Sequence, residues 1–404
     1  MHRNVRARLR PASLSTTGRS THTPLTPDSE SRTQIYYNAE ERIQPEVFVH
    51  EKNPGDSIRH VEMKTTHTNQ VSFVVLADSG VPGYHRNAKI DGFHGVLGDK
   101  LLTLRDGIDF VVMAGDNFYD KGVADCNDEQ WKDVWFKRLN VDQLNVPFFT
   151  VLGNHDILGD RIVQSNYHKC PGKAHMSKYW MTPGEDYTLS VNGNLKMFFI
   201  NTNTRDPESV QTIENALKRY EPNFVIGHHP MSVQGIYNKH GSYLAREKSS
   251  AKDFELKGES LMAATLHRIE FPTYLCGHLH AMQYGETGIY EDERKRFESQ
   301  TKSAETTMFE TQHVDPKTQI LVGGGGGNLY NRLEFGPSSH QRQHTSSSSS
   351  FNERVHGFAV VTVNIISHAQ TVIYYTYADD GSEVWKEQEF KSHFKIKADH
   401  TVNT

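Results

Sequence analysis

The stretch FVVMAGDNFYDKG, Phe110 to Gly122, decides how this chain reads. Phe110–Ala114 is an apolar run of strand length that stops at Gly115, and the next residue is Asp116. Gly-Asp is ordinary turn chemistry, so a strand running into a plain turn explains it. A strand end that holds a metal explains it as well, because Asp116 and Tyr119 are both hard oxygen donors. The residues on either side separate the two readings.

Working outward, apolar strands alternate with helical stretches: Val71–Ala77 (strand), Ala88–Arg105 (helix), Phe110–Ala114 (strand), Asp128–Leu139 (helix) and Pro147–Leu152 (strand). Asp186–Val191 and Lys196–Asn201 read as a β pair. Pro207–Tyr220 (helix), Phe224–Gly227 (strand), Glu259–Ile269 (helix) and Thr273–Cys276 (strand) follow. Such alternation predicts an α/β fold of βαβ units on a largely parallel sheet, with working loops at the C-terminal strand ends. Further on, Gln319–Val322, Gly357–Ile365, Gln370–Tyr377 and Ser382–Glu389 read as strands without intervening helices.

Five strand ends share one signature. They run into Asp78-Ser79-Gly80, Gly115-Asp116-Asn117-Phe118-Tyr119, Gly153-Asn154-His155-Asp156, Gly227-His228-His229-Pro230 and Gly277-His278-Leu279-His280. Each alone is adequately a turn, and a lone His is more often a satisfied core or surface residue than a ligand. Five in order on one sheet are not explained by turns, since parallel strands bring such ends to a single edge. The donors are also chemically coherent. Asp78, Asp116 and Tyr119 suit a trivalent iron, and His228, His278 and the Asn154 amide suit divalent Zn, Fe or Mn. His-x-His on an extended segment sends His278 and His280 to opposite sides, toward different ions. Two ions about 3.5–4 Å apart can clamp a phosphoryl group and generate the hydroxide that attacks it.

Asp-x-Gly, Gly-Asp-x-x-Tyr, Gly-Asn-His-Asp, Val-x-x-His and Gly-His-x-His, in that order, resemble the purple acid phosphatases of the calcineurin-like metallophosphoesterase superfamily. GDNFYDKGV, GNHD, YLCGHLHAMQY and HGFAVV are most similar to the small, tartrate-resistant animal-type branch. The resemblance covers Val71 to Lys391. It implies a four-layer β-sandwich flanked by helices, and hydrolysis of phosphate monoesters at a dinuclear Fe(III)–M(II) centre. It further implies that Asp78, Asp116, Tyr119 and His280 hold the iron, that Asp116 bridges, and that Asn154, His228 and His278 complete the divalent site. His228 rather than His229 fills Val-x-x-His, which leaves His229 for substrate contact. His155 fits a phosphate contact or acid with Asp156 orienting its ring, and His240 resembles a further active-site histidine. Two carboxylates, a phenolate and a bridging hydroxide against five metal charges leave about one positive charge to attract an anionic ester. Gly323–Gly327 with Asn328 resembles a turn that closes such sites, and as sequence reads equally as a flexible link. The runner-up functions are a Mn/Zn phosphoprotein phosphatase or diesterase, from which Tyr119 discriminates, and a non-catalytic phosphate-binding protein.

Composition bounds the rest. The formal net charge of -5 offers no basic surplus for nucleic acid, and no apolar run approaches the roughly 18 residues of a membrane-spanning helix. A monomer acting on a phosphomonoester, small or protein-borne, is expected. Cys126, Cys170 and Cys276 are odd in number and without metal-like spacing, so a disulfide scaffold is not expected, and the cysteine pair of the secreted relatives finds no counterpart. Met1–Pro27 carries five arginines, many Ser/Thr and no acidic residue, which suits either a transit peptide or a disordered tail; no secretory signal is read there. A cytoplasmic or organellar location is therefore expected over a secreted one. The expected boundaries are a disordered basic extension (1–66), the catalytic domain (67–392) with surface insertions at 286–317 and 337–350, and a tail (393–404).

Overall fold

The computed structural model describes residues 32–35, 46–50, 58–81, 88–203, 205–231, 268–287, 317–327, 351–353, 355–377 and 385–393, with Met262, Thr265, Leu266 and Leu329. All lie in one compact unit, Arg32–Thr404. Among them, strands form one sheet of seven and another of ten.

The seven-stranded sheet is built on Gln70–Leu76, Phe110–Met113, Phe148–Thr150 and Trp180–Met181, successive parallel neighbours. His356–Asn364 adds antiparallel to Gln70–Leu76, and Ala369–Tyr377 and Trp385–His393 continue outward. The ten-stranded sheet is centred on Leu195–Phe199, Phe224–Ile226, Thr273–Cys276 and Lys317–Val322, also parallel neighbours. Beyond Gln70 the motif strands are buried throughout, because both of their faces are covered. Val71, Phe73, Val75, Phe110 and Val112 face inward and pack against Phe199, Phe224, Ile226 and Leu275 of the other sheet. Phe73 meets Phe224 edge to face, with ring centroids 5.6 Å apart.

Helices close the outer faces, giving the expected four layers. Ala88–Leu104 buries Phe93, Leu97 and Leu101, one residue per turn, against Val74, Leu76 and Val111. Truncating Leu101 to Ala would cost about 2–5 kcal/mol. Pro207–Tyr220 starts at Asp206, whose side chain caps the Ser209 N–H at 2.8 Å, with Pro207 in the first turn where its missing N–H costs nothing. It ends at Glu221 in the left-handed region (φ 50°) and buries Val210, Ile213 and Leu217 against Phe198, Val225 and Tyr274.

The structure corrects several expectations. The five motif ends do not share one sheet: three belong to the seven-stranded sheet and two to the ten-stranded one. Alternation reveals parallel neighbours but not when the chain changes sheet, and here the hairpin Tyr187–Val191/Leu195–Phe199 carries the chain into the ten-stranded sheet. The extension to residue 66 is not simply unstructured, since Arg32–Ile35, Glu46–His50 and Arg59–Lys64 are strands of the larger sheet. The signal was present: Val61 and Met63 alternate with polar residues and, with Val47, are buried between the sheets.

The helix expected at Asp128–Leu139 is confined to a wide turn, Trp131–Phe136, in which the Lys137 N–H reaches back five residues to Lys132. The charged insertion is the connection of a hairpin, because Met282–Thr287 pairs antiparallel with Lys317–Val322; residues 288–316 lie outside the described residues, as does 337–350. Cys126 and Cys170 are joined in a disulfide, Cα atoms 5.6 Å apart, while Cys276 is free and buried. A sequence separation of 44 hides the pairing in the sequence. Space brings them together over an aromatic cluster in which Trp131 stacks on Tyr167 at 3.5 Å.

Candidate metal centre

The site lies where the C-terminal strand ends of the two sheets meet. Asp78, Asp116 and His278 each leave their strand with positive φ (57°, 51° and 70°), a conformation costing about 1–2 kcal/mol per non-Gly residue. Such strain gathers at functional sites. In the opening stretch the turn divides its labour: Phe118 is buried against Trp131 and Trp180, with centroids 4.9 and 5.7 Å away, while Asp116 and Tyr119 face the other sheet.

The candidate ligands form two groups that share one atom. In the first, the Tyr119 hydroxyl lies 3.1 Å from Asp78 Oδ1, 2.8 Å from Asp116 Oδ2 and 3.2 Å from His280 Nε2, and His280 Nε2 is 3.4 Å from Asp78 Oδ1. In the second, Asn154 Oδ1 lies 3.2 Å from His228 Nε2 and 2.8 Å from His278 Nδ1, and His228 Nε2 is 3.3 Å from Asp116 Oδ2. Asp116 Oδ2 thus belongs to both. His278 and His280 do reach different groups, as the His-x-His spacing predicts.

The electrostatics call for cations. Asp78 and Asp116 are buried carboxylates, costly unless paired. Burial raises the Asp116 pKa, but the His228 imidazole beside it lowers it more, so the carboxyl stays well below the usual carboxylate range. Burial would lower His228, yet Asp116 and then Asp78 push it up to about 9. Burial followed by Asp116 and Asp78 holds the Tyr119 phenol well above its ordinary value, so the phenol keeps its proton until a cation replaces it. The His228 Nδ1–H donates to the Ala114 carbonyl at 2.9 Å, which leaves Nε2 as the donor atom facing Asp116. This donor set fits a pair of metal ions.

Neighbouring groups brace these ligands. Asp156 accepts the Gly153, Asn117 and Phe118 backbone N–H groups and the Asn117 side-chain amide, at 2.8–3.1 Å. Burial and the Asp116 charge raise its pKa, to about 7, against those hydrogen bonds. Asp156 therefore staples the Gly115 turn to the Gly153 turn and does not orient the His155 ring as expected. That ring is set instead by the Asp120 carbonyl, 2.8 Å from Nδ1, and it lies 4.3 Å from the Tyr119 ring. The His155 backbone N–H donates to Asp116 Oδ1 at 2.8 Å.

Thr202, which no motif flags, accepts the His228 and His229 backbone N–H groups at 3.1 Å and lies 2.9 Å from His229 Nδ1. With two donors on its oxygen, its own proton goes to His229 Nδ1, which assigns the His229 proton to Nε2. His229 sits beside the ligands, its ring 4.7 Å from that of His278. His240 lies outside the described residues.

Glycine is required where the two sheets interlock. Gly115 has φ +90°, and a Cβ on it would lie 2.7 Å from His228 Cγ. The run Gly323–Gly327 is buried, and a Cβ on Gly327 would lie 2.8 Å from the His280 Nδ1. Of the two readings of this run, the packed turn against the site is the one observed; Asn328 lies outside the described residues.

Comparison with known proteins agrees with this geometry. The profile of the calcineurin-like phosphoesterase family matches residues 71–282, more than half of the chain. Tartrate-resistant acid phosphatase type 5 of Sus scrofa is 28% identical over 262 residues, 57% of this chain and 70% of that one. Purple acid phosphatase 3 of Arabidopsis thaliana is 38% identical over 90 residues, 22% of this chain and only 23% of that protein's length. Among solved structures, purple acid phosphatase PPD1 from yellow lupin (Lupinus luteus) seeds superposes with a TM-score of 0.50 at 15% identity, covering 85% of this chain and 59% of that one.

Proposed function

Because this chain belongs to the calcineurin-like phosphoesterase family and is related to the purple acid phosphatases at modest identity, we propose that it is an acid phosphatase hydrolysing phosphate monoesters at a dinuclear Fe(III)–M(II) centre. The observation that carries this reading is the Tyr119 hydroxyl set between Asp78, Asp116 and His280. A phenol there adds a hard, anionic oxygen when it ionises, which favours a trivalent ion. Asp78, Asp116, Tyr119 and His280 would hold the iron, and Asp116, Asn154, His228 and His278 the divalent ion (Fe, Zn or Mn). When bound, such a pair supplies Lewis acidity toward the phosphoryl oxygens and lowers the pKa of water.

The chain's own residues do the rest. His229, with its proton on Nε2, donates to a phosphoryl oxygen. His155 keeps its Nδ1–H on the Asp120 carbonyl, which leaves Nε2 as the atom that serves the leaving alkoxide. Asp156 and Thr202 keep the ligand turns in place. Among the described residues no helix is long and apolar enough to cross a membrane. The Cys126–Cys170 disulfide supports an oxidising compartment as the working location, in place of the cytoplasmic one.

The test is hydrolysis of p-nitrophenyl phosphate by the metal-loaded chain, with an optimum on the acid side and retention of activity in tartrate. No hydrolysis anywhere between pH 4 and 8 overturns the reading in favour of a phosphate-binding protein.

A further inference from the structure

The outer face of the ten-stranded sheet carries a second group of donor side chains, which the phosphatase reading does not use. Glu46–His50 and Arg59–Lys64 pair antiparallel, with Phe48 across from Glu62 and Val49 across from Val61. Continuing that register sets His50 beside His60, and their rings stack with centroids 5.4 Å apart. Glu62 lies two residues beyond His60 and so points to the same face, while Val61 and Met63 point into the core.

The three side chains converge. His50 Nε2 is 3.4 Å and His60 Nε2 3.9 Å from the same oxygen, Glu62 Oε1, and one donor atom from each residue lies within 4.8 Å of the others. Two further observations point to a ligand. His50 Nε2 is buried yet makes no hydrogen bond. The other nitrogen of His60, Nδ1, is 2.7 Å from Thr188 Oγ1 on the adjacent strand, the kind of outer partner that fixes the ring of a metal-binding histidine and leaves Nε2 to the ion.

We propose that His50, His60 and Glu62 bind a divalent transition-metal ion of the zinc class, with water completing the coordination. Two imidazoles and a carboxylate suit zinc, and bonds of about 2.0–2.2 Å in a tetrahedron set donor atoms about 3.3 Å apart. The site reaches that arrangement by small side-chain movements. The ion clasps Glu46–His50 to Arg59–Lys64. In strand order this clasp is three places from Phe224–Ile226, roughly 14 Å across the sheet, so it is separate from the catalytic centre.

The experiment counts zinc on the full chain. After equilibration with zinc and removal of the excess, wild type is expected to hold one ion per chain more than Glu62→Gln or His60→Ala, with p-nitrophenyl phosphate hydrolysis equal in all three. A second measurement removes the divalent half of the catalytic centre: His228→Ala/His278→Ala, titrated with zinc against a chromogenic chelator, holds one zinc ion more than the same variant carrying His60→Ala. If the paired lesion does not fold, the zinc-dependent rise in melting temperature, present in wild type and smaller in Glu62→Gln, takes its place. Equal zinc content in wild type and both single variants overturns the proposal whatever the phosphatase activity, and inactivity with the extra ion present overturns only the phosphatase reading.

Discussion

The two halves of the candidate centre differ in chemistry as well as in origin. The seven-stranded sheet contributes the oxygen donors Asp78, Asp116, Tyr119 and Asn154, and the ten-stranded sheet contributes the imidazoles His228, His278 and His280. Each half is held partly by the other: the His228 Nδ1 bonds the Ala114 carbonyl, and the His278 N–H bonds Asp78 Oδ2 at 2.8 Å. The oxygen half has its own bracing in Asp156, the aromatic cluster and the disulfide. The imidazole half leans on Thr202 and on the glycine turn. Neither sheet edge is a site alone; the centre forms when the sandwich closes, so its integrity and the fold's are linked.

The sharpest way to break this arrangement is at the atom both halves share. Asp116→Asn should lose both metals and, with several kcal/mol of charge stabilisation gone, about 10³-fold or more in kcat. Metal analysis and turnover on one sample check this, and two ions retained per chain would remove the bridging role.

The next largest effect tests the bracing of the oxygen half. Cys126→Ser/Cys170→Ser opens a loop closed by 44 residues of separation, which by chain entropy costs about 4 kcal/mol. A lower melting temperature with metal stoichiometry unchanged at room temperature is expected. His155→Ala should then lower kcat by about 10²-fold with both metals in place. Unchanged turnover would exclude His155 from proton transfer.

The smallest effect concerns the support beneath the glycine turn. His94, on helix Ala88–Leu104, is buried with no hydrogen bond to either ring nitrogen, and a Cβ on Gly326 would strike its ring. Burial, then Arg138 and His356, push its pKa down to about 3. The folded form stays neutral while the unfolded form takes a proton below about 6.5, so His94 lowers stability by about 1.4 kcal/mol per pH unit as pH falls from about 6.5 toward 3. His94→Leu should therefore flatten the acid limb of the stability curve, by about 2 kcal/mol at pH 5, in urea unfolding followed at several pH values. An identical acid limb in both proteins would contradict this.

Much of this was legible in the sequence, for reasons that can be named. The strand-end motifs are local: five residues such as Gly115–Tyr119 carry the turn and the donors together. The helices Ala88–Leu104 and Pro207–Tyr220 were visible because their apolar residues repeat at helical spacing. What escaped depends on long-range placement. The change of sheet after Trp180–Met181, the Cys126–Cys170 pair, and the role of Asp156 as a staple are set by packing between segments distant in sequence. Thr202 carried no signal at all, because a threonine after a strand has many ordinary uses. The N-terminal strands were legible but outvoted by the basic, serine-rich stretch before them.

The proposed iron(III) on Tyr119, between the two sheets, would show in the visible absorption spectrum of the purified, air-oxidised protein with metal content taken on the same sample. A broad visible band that vanishes in Tyr119→Phe is the predicted result. A colourless protein holding two metals per chain would contradict it and move the chain to the manganese- or zinc-dependent esterases.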